Sequence, residues 1–132
     1  MPFEELAHTA DWALRVWATD LPALFSEAAR GMNTLAGAQP APGPRFKRVF
    51  LTKAPDVESL LVLFLSELVY AAEQDKLMFD QFEIEINGAE LQVNMEGASI
   101  LTINKSIKAV TFHNLQVRQS KAGFELEIVF DV

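Results

Sequence analysis

The spacing of apolar residues changes near residue 79, and this change restricts the chain to a mixed fold. From Phe79 onward apolar and polar residues alternate, and in residues 82–86 the residues between the apolar positions are glutamates. Alternation of this kind is typical of strands with one buried face. Asn87-Gly88 follows at once and is a strong signal for a two-residue hairpin turn. The second half of the chain is therefore predicted to be antiparallel strands.

Two segments before residue 79 repeat at helical spacing instead. Asp20 is placed to cap a first helix, which Gly37 is placed to end. Asp56 is placed to cap a longer helix over about residues 57–74. That second helix has little polar face, so we expect it to be covered on most sides.

The remaining segments complete the predicted order of elements. Trp12–Ala18 and Phe46–Leu51 alternate as strands do, and the proline- and glycine-rich residues 36–44 between them are predicted to form a loop. Further strands are predicted at Ile107–His113 and Leu115–Gln119, before a last strand that ends near Phe130. The fold class is α+β, with two helices packed on a mostly antiparallel sheet. The order is roughly β-β-α-β-α followed by four to five strands.

Length and composition narrow the class of protein. The 132 residues fit a single domain over residues 1–132. The absence of cysteine excludes disulfides, zinc-thiolate sites and a thiol nucleophile. The first residues do not resemble a secretion signal, and the longest apolar run, Leu60–Leu65, is far shorter than the roughly 20 residues of a membrane span. We therefore expect a cytoplasmic protein that does not insert into membranes.

The net charge of −7 bears on the partners that the chain can bind. A negative field repels phosphate backbones, so tight binding of nucleic acid by the chain alone is not expected. The basic segment Arg45–Arg48 could touch phosphates, although a solvated strand edge is the plainer interpretation. A basic protein surface would suit the whole molecule better.

Carboxylates at the two ends of the chain are the first candidates for chemistry. Asp11 follows His8 by three residues at the entrance to the first long strand. At the other end, Asp131 is followed by the main-chain carboxylate of Val132. If the two ends meet, three carboxylates converge, and such oxygen donors suit Ca²⁺, Mg²⁺ or Mn²⁺. The plainer alternatives are a hydrogen-bonded turn around Thr9 and Asp11 and a solvated C-terminus.

Lys108 and His113 are the other candidates. In a strand over Ile107–His113 they would point to opposite faces. Lys108 could balance a carboxylate site or reach a partner, and His113 could be a ligand or a proton shuttle. An edge-strand lysine and a hydrogen-bonded sheet histidine are the structural alternatives.

No catalytic motif is present. The chain has no phosphate-binding loop, no dinucleotide glycine motif and no nucleophile elbow. The remaining enzymatic alternative is a metal-dependent phosphoester hydrolase that uses His8, Asp11, His113 and Asp131, whose spacing is not diagnostic. We therefore expect no catalytic residues and no enzyme activity.

Five motifs in order resemble the archease family, the accessory proteins of RtcB-type RNA ligases. The similar segments are Phe3–Asp11, the helix from Leu21 to Leu35, Leu60–Tyr70 with Glu67, Ile107–His113, and the ending Val129–Val132. Together they extend over the whole chain.

The resemblance implies a function and a site. Members of that family promote guanylylation of the ligase and its turnover in tRNA splicing and RNA repair. The ligase joins a 2′,3′-cyclic phosphate or 3′-phosphate end to a 5′-hydroxyl end with GTP and Mn²⁺. By position, the implied metal site is Asp11, Asp131 and the terminal carboxylate of Val132, with Lys108 nearby. A chaperone-like adaptor that needs no metal is the alternative.

Overall fold

The computed structural model describes residues 2–6 and 12–132, which form two helices and two antiparallel sheets. The helices are α1 (Leu21–Ala36) and α2 (Val57–Tyr70), and a π-helical turn (Ala71–Asp75) continues α2. The strands are β1 (Phe3–Leu6), β2 (Trp12–Ala18), β3 (Gln39–Lys53), β4 (Leu77–Asn87), β5 (Glu90–Thr102), β6 (Ala109–Thr111), β7 (Arg118–Ser120) and β8 (Gly123–Asp131). The predicted α+β class and order of elements are confirmed.

The larger sheet brings the start and the end of the chain together. Its strand order is β1-β2-β8-β6, and β7 also pairs with β8. Strands β2 and β8 are antiparallel over their length, with Trp12 opposite Phe130 and Ala18 opposite Phe124. The second sheet has the order β3-β5-β4. The first long strand and the last strand are therefore direct neighbours.

One buried cluster joins the helices to both sheets. Phe25 of α1 stacks on Phe64 of α2 at 6.1 Å between ring centroids, and Phe64 meets Phe82 of β4 edge to face at 5.6 Å. From the larger sheet, Leu126 and Phe130 are fully buried. Burying one such side chain contributes about 1.5–3 kcal/mol to the stability. Because Phe130 is buried one residue before the end of β8, this core holds the end of that strand in place.

The predicted helix caps are confirmed. The Asp20 carboxylate accepts a hydrogen bond from the Ala23 N–H at 2.8 Å, and the Asp56 carboxylate accepts one from the Ser59 N–H at 2.7 Å. Hydrogen bonds from the Ser59 side chain and backbone hold the pKa of Asp56 below its usual value. Gly37 ends α1 at a φ of 67°, a left-handed conformation that glycine adopts at little cost.

The loop predicted over residues 36–44 is wrong for residues 39–44, which belong to β3. Prolines interrupt a sheet because they lack an N–H donor, but an edge strand can accept them. Strand β3 is an edge strand, and its pairing with β5 is irregular between Pro40 and Arg45. The prolines therefore lie where the ladder of hydrogen bonds is already broken.

Several predicted boundaries also shift. Helix α2 ends at Tyr70, four residues early, because the chain changes to the π-helical turn. Asn87 pairs with Glu90, so the hairpin loop is Gly88 and the residue after it, one position later than the Asn-Gly signal indicates. No helix in the described part of the chain is long and apolar enough to cross a membrane.

The predicted strands at Ile107–His113 and Leu115–Gln119 are too long or displaced. Only residues 109–111 pair as β6, and β7 covers residues 118–120. A turn ends β6, because the Leu115 N–H bonds to the Phe112 carbonyl at 3.0 Å and Asn114 adopts a φ of 55°.

Candidate metal and partner site

The backbone at the end of β8 is held on both sides. Phe130 pairs with Trp12 of β2 on one side and with Val110 of β6 on the other. One residue further, Asp131 pairs with Ala109, and its carbonyl accepts the Lys108 N–H at 2.8 Å. The last strand is therefore paired up to Asp131.

The Asp131 side chain faces outward from this anchored backbone. It is exposed, and within residues 2–6 and 12–132 its carboxylate makes no ion pair. A carboxylate is a hard oxygen donor of the kind that Ca²⁺, Mg²⁺ and Mn²⁺ accept. The donor type at this position thus fits the cation predicted from the sequence.

The other predicted metal ligands are not all described. His8 and Asp11 lie outside the described residues, so their contacts stay predictions. The structure does place Trp12, the residue after Asp11, opposite Phe130, the residue before Asp131. Among the described residues, no group of three or more His, Asp or Glu side chains is arranged to hold a metal ion.

Lys108 lies just before β6 rather than inside a long strand. Its side chain is exposed and lines a shallow groove of about 260 Å³ against α2 and the π-helical turn, where Tyr70 and Glu73 lie. Because its backbone bonds to Asp131, Lys108 is fixed next to the acidic strand end.

His113 lies in the turn after β6, so its prediction as a sheet residue is wrong. Its N–H donates to Thr111 Oγ1 at 3.2 Å, and its Nε2 lies 3.3 Å from Asn114 Nδ2. Thr111 Oγ1 in turn donates to the Val129 carbonyl at 3.0 Å. The turn that carries His113 is thus tied to β8 two residues before Asp131.

The basic segment Arg45–Arg48 is largely neutralised within the molecule. Arg45 forms hydrogen-bonded ion pairs with Asp80 and Glu96, and the bond to Asp80 is the main reason that its pKa is raised. Arg48 bonds to Asp75 at 3.0 Å. Arginines paired in this way are less free to bind phosphates, which agrees with the expectation from net charge.

A large groove in the described part of the chain was not predicted from the sequence. We call it the helix-end groove; it measures about 680 Å³ and lies between the C-terminal ends of α1 and α2, the start of β4 and the segment after β5. Its aliphatic lining includes Met32, Leu68, Val69, Leu77, Ile100, Ile103 and Ile107. The spacing of the three isoleucines over residues 100–107 was the available signal, but their shared cavity depends on tertiary structure.

Comparison with known proteins decides the family. The model of the Archease protein family (MTH1598/TM1083) matches residues 3–132. The chain belongs to the archease family. Curated archeases agree over almost the whole length: the protein from Methanosarcina barkeri is 32% identical over 140 residues, covering 98% of this chain and 95% of that protein. The archease of Methanopyrus kandleri is 30% identical over the full length of both chains.

Solved structures share the archease fold. The solution structure of protein 1598 from Methanobacterium thermoautotrophicum has a TM-score of 0.72 at 20% identity and covers 99% of each chain. A crystal structure from Thermotoga maritima, described as an archease and possible chaperone, also has a TM-score of 0.72, at 19% identity, covering 98% of this chain and 96% of that one. The resemblance noted in the sequence motifs is therefore confirmed at the level of family and fold.

Proposed function

We propose that this archease-family protein activates an RtcB-type RNA ligase by holding a divalent cation at the end of its larger sheet. The pairing of Trp12 with Phe130 carries the proposal. Asp11 precedes the first of these residues and Asp131 follows the second. The proposed ligands are these two aspartates and the Val132 carboxylate.

Electrostatics supports a cation at this position. Carboxylates that converge at one strand end repel each other, and a bound cation relieves that repulsion. Asp131 is exposed, so a cation held there would keep coordination positions open to a second molecule. Ca²⁺, Mg²⁺ and Mn²⁺ all fit the oxygen donors.

In this proposal, the protein positions the positive charge of the cation next to the ligase's nucleotide. A divalent cation stabilises the negative charge that develops on GTP phosphates during guanylylation. The backbone bonds of Asp131 to β6 and to Lys108 hold its main chain in place, so its exposed carboxylate projects from an anchored strand end, which favours presentation to a partner's nucleotide site. Lys108, and His8 and His113, are proposed to support this site or contact the ligase. We expect no turnover of phosphoester substrates by this protein alone, and a location in the cytoplasm.

The test is a ligase guanylylation assay with purified variants. Asp11→Ala and Asp131→Ala are each expected to abolish most of the stimulation given by the unmodified protein. Glu85→Ala is the matched control, because Glu85 is an exposed carboxylate on β4, in the other sheet. Full stimulation by both aspartate variants contradicts the proposal.

A chaperone-like adaptor is the second candidate, and the helix-end groove favours it. An aliphatic groove of this size can bind an apolar segment of another protein without any metal. In that case stimulation of the ligase survives both chelation and Asp131→Ala. The same assay, run with and without a chelator, separates the two functions.

A further inference from the structure

The helix-end groove is open to solvent along an aliphatic rim. Ile103, in the segment after β5, lines the groove and is 38% exposed. Aliphatic side chains left in water at the edge of an apolar concavity are typical of a surface that another molecule covers. The groove therefore has the character of an interaction site.

The walls of the groove are built from irregular backbone. On one side, the π-helical turn after α2 is followed by Lys76 at a φ of 56°, an uncommon conformation for a residue other than glycine. π-Helical turns and left-handed residues of this kind occur often at functional sites. The Lys76 ammonium donates to the Glu73 carbonyl at 2.8 Å, which keeps this lysine at the edge of the groove.

The opposite wall is attached firmly to α1. The Ala36 carbonyl accepts the N–H groups of Asn104 and Lys105 at 2.9 and 3.1 Å. These bonds hold the segment that continues to Ser106, Ile107 and Lys108, all of which line the groove. A ligand in the groove would therefore contact the segment whose last residue, Lys108, is hydrogen-bonded to the backbone of Asp131.

Charge at the rim indicates the chemistry of the ligand. Three charged residues line the groove, Glu73, Lys76 and Lys108, and all three are exposed. None of them forms an ion pair with the described residues, so the two lysines leave the lining with one excess positive charge. Such lysines favour a ligand that carries carboxylates beside its apolar side chains. Lys108 lines the groove and its backbone N–H bonds to the Asp131 carbonyl, so one partner molecule could cover both the groove and the acidic strand end.

We propose that the helix-end groove is the docking surface for an aliphatic, carboxylate-bearing segment of the partner protein. This inference rests on the proposed function, and it assigns to the partner protein a second contact, at the helix-end groove, in addition to the contact at the acidic strand end. The aliphatic side chains of that segment fill the groove, and its carboxylates meet Lys76 and Lys108. The acidic strand end then supplies the cation, while the groove supplies the affinity.

The test is the dissociation constant between this protein and an RtcB-type ligase, measured by calorimetry with a chelator present so that the cation does not contribute. Lys76→Glu and Ile103→Ser are each expected to weaken binding by about tenfold or more. The controls are Lys121→Glu and Leu51→Ser, which make the same changes at exposed positions away from the groove. Lys121 lies in the turn before β8, whose first residue, Gly123, is roughly 27 Å along the strand from Asp131.

The outcomes separate this inference from the proposed function. Tight binding by the unmodified protein with unchanged affinity in Lys76→Glu and Ile103→Ser overturns the groove assignment alone. No binding and no stimulation by the unmodified protein overturns the proposed function. Self-association that the groove variants abolish, while ligase binding is unaffected, assigns the groove to a second copy and also overturns the inference.

Discussion

Phe130 is the residue whose truncation tests the anchoring of the acidic strand end. Its side chain is fully buried, at 0% exposure, and its backbone is paired with Trp12 and Val110. Replacing a buried phenylalanine by alanine costs about 3–5 kcal/mol, through lost burial and the cavity that remains. For a chain of this length, we expect Phe130→Ala to lower the melting temperature by roughly 10–20 °C.

Phe112→Ala is the matched control for this experiment. Phe112 lies just after β6 and is 56% exposed, so the same substitution should change stability by less than about 0.5 kcal/mol. Urea unfolding followed by circular dichroism gives both free energies. A cost below about 1.5 kcal/mol for Phe130→Ala, or equal costs for the two variants, would refute the argument that burial of Phe130 fixes the strand end.

Three further predictions concern stability. Asp56→Asn should keep the cap but remove the part of the stability that depends on the ionisation of Asp56. Because the pKa of Asp56 is lowered in the folded protein, its carboxylate stabilises the fold above the unfolded carboxyl pKa of about 4, and this stabilisation is lost as the pH falls through the lower folded value. The melting temperatures of the variant and the unmodified protein should therefore converge in acid. A difference in melting temperature that stays constant from neutral to acidic pH would count against this prediction. Thr111→Val removes the hydroxyl between Val129 and the turn after β6 and should cost about 1–2 kcal/mol in urea unfolding, and no measurable cost would contradict the prediction. Gly97→Ala should destabilise by about 1–3 kcal/mol or more, because its Cβ would lie 1.9 Å from the Met78 carbonyl oxygen; a melting temperature equal to that of the unmodified protein would disprove the contact.

Local sequence signals predicted the parts of the fold that depend on local chemistry. The caps at Asp20 and Asp56 and the end of α1 at Gly37 each follow from one residue and its neighbours, and all three are confirmed. The alternation in residues 82–86 also predicted β4. Signals of this kind need no knowledge of what packs against the element.

The features that failed depend on the position of an element within the whole fold. Residues 39–44 extend β3 only because that strand lies at a sheet edge, which the prolines themselves do not reveal. Strand β6 is short because a turn with Asn114 in a left-handed conformation follows it. The helix-end groove is assembled from both helix ends, β4 and the segment after β5, so the spacing of the isoleucines over residues 100–107 could not by itself indicate it.

The candidate site was predicted in part. The neighbouring ends of β2 and β8, required if Asp11 and Asp131 are to share a cation, are present in the structure. The backbone of Lys108 bonds to Asp131, although Lys108 precedes β6 and does not lie within a strand as predicted. The ligands themselves remain a proposal, since periodicity locates a strand end but does not show which ion it holds.

Titration of Mn²⁺ into the protein by calorimetry tests the central claim most directly. If Asp11 and Asp131 share one ion, Asp11→Asn and Asp131→Asn should each weaken binding at the same single site by about tenfold or more, and the double variant should bind more weakly than either single one. Glu85→Gln should bind as the unmodified protein does. Unchanged Mn²⁺ affinity in both single variants, or two Mn²⁺ sites of which each single variant removes a different one, would contradict a cation held between the two ends of the chain.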